Sequence, residues 1–428
     1  MASNPANHDM LIGCIADDLT GATDLGVTLS REGLSVTQVN GVPPADLKVP
    51  GADAVVVALK SRTNPPEEAI AWSLAALDWL RKHGAERIYF KYCSTFDSTP
   101  RGNIGPVAEA LLAALGADFT VATPAYPRNG RTVYLGHLFV GDELLSDSGM
   151  RNHPLTPMTD ANLVRVLATQ ARGRVGLVPF ADVESGAEGV AARITALRAE
   201  GARHAILDAT RDAHLEAAGA ACLDLALTTG GAGLGMGLAR ALVARGRVKR
   251  GAQAALPALD SPSVVLSGSC SGATLAQVEA VKNDYPGFRL DPVKLAASGE
   301  HLDAALAWAK SKLGGTPILL YASAPPASVS QARDALGQER AAQLVEDAFR
   351  RLARELAAQG VRRFVVTGGE TSGAVVEALG VRALAIGPEI APGVPWTWAV
   401  DGEPFQLALK SGNFGGPDFF RQALKVTA

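Results

Sequence analysis

The sequence predicts an α/β fold with two domains, each a mainly parallel β-sheet flanked by helices. Apolar, β-branched runs alternate with helical patterns along the whole chain, which is typical of parallel strands joined by crossover helices. The length of 428 residues exceeds what a single hydrophobic core usually supports. A stretch without apolar periodicity at 246–262 separates two such series, and we interpret it as a linker. The predicted domains are therefore 1–245 and 263–428.

In the first domain, strands and helices are expected to alternate from the first apolar run onward. The predicted strands lie at 10–16, 34–39, 53–58, 86–91, 118–122, 175–178 and 203–207. The predicted helices lie at about 19–31, 66–83, 103–115, 160–171, 184–200 and 212–227. The stretch 123–159 is rich in proline and glycine and breaks this rhythm. We interpret it as a functional insertion with a hairpin at 131–141.

The second domain repeats the alternation after the linker. Its predicted elements are strand 263–267, helix 272–282, strand 316–321, a long helix near 337–359, strand 363–367, helix 371–380 and strand 382–387. We find no short internal repeat. The alternation again favours a parallel sheet, whose ligands bind at the carboxyl ends of the strands.

The composition excludes several classes of function. The chain is 47% hydrophobic and 19% charged, as expected of a soluble globular protein. Its 40 basic and 43 acidic residues give a net charge of −3 without a basic cluster, so we expect neither nucleic acid nor a membrane as a partner. Four scattered cysteines, without C-x-x-C spacing, argue against a zinc site and against disulfides. We therefore expect a cytoplasmic protein, and no signal peptide or transmembrane run is predicted.

Two adjacent carboxylates, Asp17 and Asp18, follow the first predicted strand and precede a helix. This position places them in the crevice at the carboxyl edge of the sheet, beside the free N–H groups that begin the helix. Asp is a favoured N-cap residue, but only one residue can be the N-cap. The second carboxylate is therefore a candidate for substrate binding or catalysis.

A polar cluster follows strand 86–91 and reads KYCSTFDSTPRGNIG from 91 to 105. A cation, hydroxyls and a carboxylate at one strand end suit a small polyhydroxylated anion. We expect Lys91, Ser94 and Thr95 to bind it and Asp97 to accept a hydroxyl proton; an ordinary capping loop is the alternative. Arg62 follows strand 53–58 and belongs to the same crevice, where it and Lys91 would hold a carboxylate.

A glycine-rich stretch, TTGGAGLGMG at 228–237, resembles a dinucleotide fingerprint but misses the G-x-G-x-x-G register. It also follows a helical pattern and not a predicted strand. Gly230 and Gly231 could offer backbone N–H groups to a carboxylate or phosphate, and close backbone packing is the alternative. Both interpretations stay open at this point.

Three Gly/Ser/Thr turns in the second domain favour phosphate binding. They read LSGSCSG at 266–272, TGGETSG at 367–373 and KSGNFGG at 410–416. Two of them follow a strand and open a helix, so that N–H groups and hydroxyls face a ligand. No P-loop motif occurs in the sequence. Three such turns in one domain indicate a nucleotide site that includes Gly368.

These motifs resemble those of the four-carbon acid sugar kinase family over essentially the whole chain. The resemblance rests on IADDLTGATD at 15–24, TGGETSG at 367–373 and KSGNFG at 410–415. The segments 91–106 and 148–160 are similar to the 3-oxo-tetronate kinase branch. The resemblance implies an N-terminal acid-sugar domain, a C-terminal ATP domain and phosphorylation of the terminal 4-hydroxyl. The ATP contacts that it implies are Ser267, Gly369, Glu370, Thr371, Ser372 and Gly412.

Both lines of reasoning predict a kinase that uses ATP and Mg²⁺, with the γ-phosphate brought to the acid by domain closure. Phosphoryl transfer depends mainly on positioning and charge stabilisation. Asp17 is the first candidate for the general base and Asp97 the second, and no metal ligand is assigned. Alternatives are a threonate or erythronate kinase, a two-domain sugar-acid binding protein, and an NAD-dependent dehydrogenase, which the failed fingerprint disfavours. The oligomeric state is left open, a homo-oligomer being one option.

Overall fold

The computed structural model describes residues 10–153, 155–248 and 255–426. The chain divides into two compact units, Met1–Gln253 and Ala254–Ala428. This division falls within the predicted linker 246–262, of which residues 249–254 lie outside the described ranges. None of the described helices is both long enough and apolar enough to cross a membrane.

The first unit alternates strands and helices, with a small antiparallel sheet inserted after the fifth strand. Its strands are β1 (Ile12–Ala16), β2 (Val36–Asn40), β3 (Ala54–Ala58), β4 (Ile88–Lys91), β5 (Thr120–Thr123), β6 (Arg131–Tyr134), β7 (His137–Val140), β8 (Glu143–Leu144), β9 (Arg174–Val178), β10 (Ala202–Leu207) and β11 (Leu227–Gly230). Its α-helices are α1 (Leu19–Arg31), α2 (Pro66–Lys82), α3 (Ile104–Leu115), α4 (Leu163–Ala168), α5 (Phe180–Glu184), α6 (Gly186–Ala199), α7 (Asp212–Cys222) and α8 (Ala232–Ala244). Strands β6, β7 and β8 form the inserted antiparallel sheet.

The large sheet of the first unit is parallel throughout, in the order β2-β3-β1-β4-β11-β5-β10-β9. All five residues of β1 are buried, as expected of a central strand covered on both faces. The chain turns to one side of β1 for β2 and β3 and to the other side from β4 onward. The boundary between β1 and β4 is therefore the switch point at which α/β sheets bind ligands.

The second unit has the same architecture with an antiparallel extension. Its strands are β12 (Ser263–Ser267), β13 (Gly287–Arg289), β14 (Ile318–Tyr321), β15 (Arg363–Thr367), β16 (Ala383–Ala391), β17 (Val394–Ala399) and β18 (Gln406–Lys410). Its helices are α9 (Gly272–Val281), α10 (Pro292–Ala297), α11 (Glu300–Lys312), α12 (Pro326–Leu336), α13 (Gln338–Ala358), α14 (Gly369–Ala378) and α15 (Phe419–Lys425).

Strands β13-β14-β12-β15-β18 pair in parallel, and β17 and β16 follow in antiparallel pairing. Alternate residues of β12 enter separate cores: Val264 and Leu266 belong to one cluster, and Val265 belongs to another. Each face of this sheet is therefore covered. The switch point of the second unit lies between β12 and β15.

The predicted α/β fold class is confirmed, and so is the hairpin at 131–141, which corresponds to β6 and β7. The expectation that the glycine-rich stretch follows a helix was wrong, because β11 (Leu227–Gly230) comes after α7 and includes the first three residues of that stretch. The sequence of β11, LTTG, has one large apolar residue, and its threonine hydroxyls obscured the strand. Within the fold, Thr229 is buried and donates to the Val121 carbonyl, 2.8 Å away.

Further elements were not predicted, mainly β13, β17, β18, α10, α11, α12 and α15. Strands β18 and β17 lie in the second sheet between β15 and β16, where the sequence analysis predicts no strand. The helix predicted at 371–380 begins two residues earlier, at Gly369. The N-cap residue Gly368 has a φ of 109°, a conformation that favours glycine.

Candidate functional site

Four adjacent strands of the first unit bring the predicted substrate residues to one edge of the sheet. Ala16 of β1 is in register with Ala58 of β3 and with Lys91 of β4, and Lys91 is in register with Gly230 of β11. These strands are parallel, so the residues that follow them lie at the same carboxyl edge. The tertiary structure thus gathers the segments after β1, β3, β4 and β11.

The capping interpretation applies to Asp18. Asp18 is the N-cap of α1, and its carboxylate accepts hydrogen bonds from the Gly21 N–H at 3.1 Å and the Thr20 hydroxyl at 2.7 Å. Its side chain is 26% exposed, whereas that of Asp17 is only 6% exposed. Asp17 is therefore the buried carboxylate that helix capping does not explain.

Arg62 connects the three carboxylates of the crevice. Its Nε and Nη2 atoms donate to the two carboxylate oxygens of Asp17 at 2.9 and 2.8 Å, a bidentate pair. Nη2 also donates to Asp18 at 2.6 Å, whereas Nη1 lies 3.5 Å from Asp97. The guanidinium is thus largely engaged by side chains of the protein, and Nη1 is its most weakly held donor.

The environment separates the pKa values of the two adjacent acids. Burial raises the pKa of Asp17, and the ion pair with Arg62 offsets this only in part. Burial also acts on Asp18, but the charges of Arg62 and Lys91 and the hydrogen bonds from Thr20 and Gly21 lower the pKa of this carboxyl. Acids separated in this way suit different chemical roles.

The loop after β4 holds Asp97 in an unusual backbone conformation. Phe96 and Asp97 have φ values of 65° and 42°, which non-glycine residues adopt at a cost. The Thr95 hydroxyl donates to the Asp97 carboxylate at 2.6 Å, and both residues are buried. Ser94, in the same loop, is partly exposed. The loop therefore places one carboxylate and adjacent hydroxyls near Arg62.

Lys91 is nearly buried, at 3% exposure, at the end of β4. No hydrogen bond or ion pair joins its ammonium to another residue in the described part of the chain. A Cβ atom added at Gly21 would lie 2.2 Å from both the Lys91 Nζ and an Asp18 oxygen, so this glycine leaves room for the two side chains. Lys91 is thus a cation at the crevice that retains donors for a ligand.

Asn103 is a site residue to which the sequence analysis assigned no role. Its Nδ2 donates to the carbonyls of Ser61, Arg62 and Asn64 at 2.8, 3.3 and 2.9 Å. It therefore fixes the backbone that carries the guanidinium. Asn103 also lines a small pocket together with Asp17, Arg62 and Asp97. The sequence signal was its place in the polar cluster 91–105, but the contact across 40 residues could not be inferred.

The glycines from the end of β11 onward divide into two groups. Gly230 and Gly231 lie beside β4 and β5, and an added Cβ would approach the Thr123 and Pro124 carbonyl oxygens at 2.6 and 3.0 Å. The Gly231 N–H donates to Thr123, which reduces what it can offer a ligand. The later glycines lie within α8, where an added Cβ at Gly237 would meet the Leu215 carbonyl of α7 at 1.9 Å. Close packing accounts for this later group.

In the second unit, the three Gly/Ser/Thr turns follow three adjacent strands. Ser267 of β12 is in register with Thr367 of β15, which is in register with Lys410 of β18. The buried Ser267 hydroxyl is hydrogen-bonded to the Ser323 and Thr367 hydroxyls at 2.8 and 2.9 Å. The buried Ser267 hydroxyl thus links the ends of β12 and β15, from which the first two turns begin.

The predicted nucleotide residues of the second turn lie at the start of α14. Gly369 and Glu370 are exposed, whereas Thr371 and Ser372 are buried. The first and third turns are joined because the Ser271 hydroxyl donates to the Gly412 carbonyl at 2.6 Å. The structure therefore collects the three sequence-distant turns around the switch point between β12 and β15.

Among the described residues, no group of three or more His, Cys, Asp or Glu side chains could hold a metal ion. A nucleotide-bound Mg²⁺ is usually coordinated by phosphate oxygens, water and one or two carboxylates.

Comparison with known proteins finds a domain family that matches each unit. Residues 12–238 match a sugar-binding N-terminal domain, and residues 264–420 match a nucleotide-binding C-terminal domain. The chain belongs to the four-carbon acid sugar kinase family. In this family context, the crevice after β1, β3, β4 and β11 lies within the sugar-binding match, and the three turns lie within the nucleotide-binding match.

Full-length relatives support the same assignment to the four-carbon acid sugar kinase family. The chain is 56% identical to a 3-oxo-tetronate kinase of Cupriavidus necator, with 99% of each chain covered. It is 55% identical to a 3-oxo-tetronate kinase of Pseudomonas fluorescens, with 98% of this chain and 97% of the relative covered. The predicted family, its 3-oxo-tetronate kinase branch and the kinase class are confirmed.

Solved structures share the fold. One from Salmonella typhimurium LT2 has a TM-score of 0.90 at 44% identity and covers 98% of this chain and 100% of its own. Another, from Haemophilus influenzae, has a TM-score of 0.84 at 47% identity and covers 96% of this chain and 99% of its own. These two solved structures thus have the same α/β fold as this chain over nearly its whole length.

Proposed function

We propose that the chain transfers the γ-phosphate of ATP to the terminal 4-hydroxyl of 3-oxo-tetronate. Relatives at 56% and 55% identity carry the name 3-oxo-tetronate kinase over nearly their whole length, which supports this acid as the substrate. The nucleotide-binding match to residues 264–420 supports ATP as the phosphate donor. The protein would act in the cytoplasm, in keeping with its four free cysteines.

The buried carboxylate of Asp17, held by Arg62 at the sheet edge, is the observation that carries this proposal. A general base works best when its pKa approaches the working pH, and burial raises the pKa of Asp17. Asp18 has a lowered pKa and caps α1, so it is less suited to accept a proton. We therefore assign the removal of the 4-hydroxyl proton to Asp17, with Asp97 as the second candidate.

The carboxylate of the acid would be held chiefly by Lys91. From the sequence alone, we expect Arg62 and Lys91 to share this role, but the Nε and Nη2 atoms of Arg62 already bind Asp17 and Asp18. Lys91 retains its donors and lies in register with Gly230. We therefore propose that Arg62 orients Asp17 and that Lys91 provides the charge for the substrate carboxylate.

The triphosphate would bind at the three turns of the second unit. Glycine-rich turns at helix N-termini offer N–H groups to phosphate oxygens, and Gly369 and Glu370 are at such a position, at the start of α14. Gly412 lies in the loop between β18 and α15, beside the first turn. Mg²⁺ would neutralise charge on the phosphates, held mainly by their oxygens and by water. No side-chain ligand is assigned to the ion. The contribution of the chain is then to position two reactants and to remove one proton.

A coupled ADP-release assay with 3-oxo-tetronate, threonate and erythronate tests the proposal. We expect kcat/KM to be highest for 3-oxo-tetronate. A higher value for threonate or erythronate would move the substrate to another branch of the family. A thermal-shift screen separates the binding-protein alternative, since ATP with Mg²⁺ stabilises only a protein that binds them.

A further inference from the structure

The loop after β18, residues 411–416, has its backbone carbonyls fixed by donors from one side. The Lys410 ammonium donates to the carbonyls of Ser411 and Gly412, both at 2.9 Å. The Gln277 amide of α9 donates to the carbonyls of Phe414, Gly415 and Gly416 at 3.0, 3.0 and 3.1 Å. Five successive or nearly successive carbonyls therefore point toward Lys410 and α9.

This arrangement determines where the N–H groups of the loop point. No described peptide bond is cis, and in a trans peptide the C=O and the following N–H point in opposite directions. The N–H groups of Gly412, Asn413, Gly415 and Gly416 therefore point away from Lys410 and α9. None of these four groups donates to another backbone group in the described part of the chain. Successive backbone N–H groups of a turn that have no acceptor in the protein are available to bind an anion.

Lys410 adds a charge directly beneath this loop. The side chain is fully buried, and its third hydrogen bond goes to the Thr274 hydroxyl at 3.2 Å. All three acceptors are uncharged, and no carboxylate pairs with Lys410 among residues 10–153, 155–248 and 255–426. Burial lowers the pKa of this ammonium to about 8. A buried cation without a counter-ion is costly, and an anion bound nearby offsets the cost.

We propose that Lys410 is a positioning residue for the phosphates of the nucleotide. It holds the loop 411–416 with its N–H groups directed outward, and its charge is balanced when the phosphates bind. This inference rests on the proposed ATP site, and it assigns a function to a residue that the sequence analysis quoted but did not select. Replacement of Lys410 should therefore weaken the binding of ATP, which carries phosphates, and not the binding of the nucleoside adenosine.

The test compares Lys410→Gln with the wild-type full-length chain. Gln retains an N–H donor for the carbonyls but removes the charge. We expect the Kd of ATP, measured by calorimetry with excess Mg²⁺, to rise roughly ten- to a hundredfold. The inhibition constant of adenosine, which has no phosphate, and the KM of the acid should change less than about twofold. Lys312→Gln, at an exposed lysine of α11, is the matched control and should bind ATP like the wild type.

Unchanged ATP affinity in Lys410→Gln, or equal weakening of ATP and adenosine, would overturn the inference. Thermal melts establish whether the variant folds. If it does not, Lys410→Arg decides: retention of ATP affinity within about threefold supports a role for the charge, and parallel loss of ATP and adenosine refutes it. Failure of the wild-type chain to bind ATP would instead refute the proposed function.

Discussion

Replacement of Asp17 by Asn tests the assignment of the general base. Asn has nearly the same volume as Asp but cannot accept the hydroxyl proton. We expect kcat to fall roughly a hundredfold or more, which corresponds to at least about 2.7 kcal/mol in the activation barrier. The KM for ATP should stay close to the wild-type value, because the predicted ATP contacts lie in the second unit.

The fold should tolerate this change. Burial already disfavours the charged form of Asp17, and Arg62 keeps its contacts to Asp18 and Asp97. We therefore expect a loss of about 1 kcal/mol or less, which corresponds to a shift in Tm of roughly 2–4 °C for a unit of this size. Asp118→Asn, at a surface ion pair with Arg198, serves as the control and should leave kcat unchanged.

The pH profile of the ADP-release assay gives a second readout. The base must be deprotonated, so kcat/KM should rise with pH through the pKa of Asp17, which lies above its ordinary value of 3.8, and then level off. This acidic limb should disappear in Asp17→Asn. Wild-type turnover, or an unchanged acidic limb, would refute the assignment and move the role to Asp97.

Three further changes probe the rest of the site. Arg62→Lys should lower kcat, because one ammonium cannot hold Asp17 bidentately, and should change the KM for the acid less; an unchanged kcat would leave Arg62 without a role in orienting Asp17. Lys91→Met should raise the KM for the acid roughly tenfold or more with little effect on the KM for ATP, and the opposite pattern would reverse the assignment of the two domains. Gly369→Val places a branched side chain at the predicted phosphate turn, so ATP binding should fail in calorimetry while acid binding survives; intact ATP affinity would place the nucleotide elsewhere.

Local patterns in the sequence were sufficient for the central parallel strands. The strand predicted at 263–267 has the same bounds as β12, and the strand predicted at 363–367 has those of β15. Such strands are buried on both faces, so they appear as continuous apolar runs. Strand β18 was not predicted, although it pairs with β15. Strand β11 was not predicted either, because the hydroxyl of its Thr229 finds a hydrogen-bond acceptor only in a residue that is distant in sequence, Val121.

The sequence predicted which residues lie at the candidate site but not the hydrogen bonds and ion pairs that join them. Asp17, Asp18, Arg62 and Lys91 were selected because each ends or follows a predicted strand, and parallel strand ends meet at one edge. The sequence could not indicate that Arg62 is bound by Asp17 and Asp18, nor that Asn103 holds the backbone of Arg62. These contacts join residues about 40 positions apart and depend on the order of the strands in the sheet.

The sequence by itself determined the fold class, the family and the residue types at the strand ends, because burial and helix capping leave local patterns. Only the tertiary structure decided which of two adjacent carboxylates caps a helix and which is buried beside an arginine. The pKa of a carboxyl group depends on its burial and on nearby charges, and both are set by chain segments that are distant in sequence. The same reason explains why Lys410 was recognised only once β18 and α9 were placed around it.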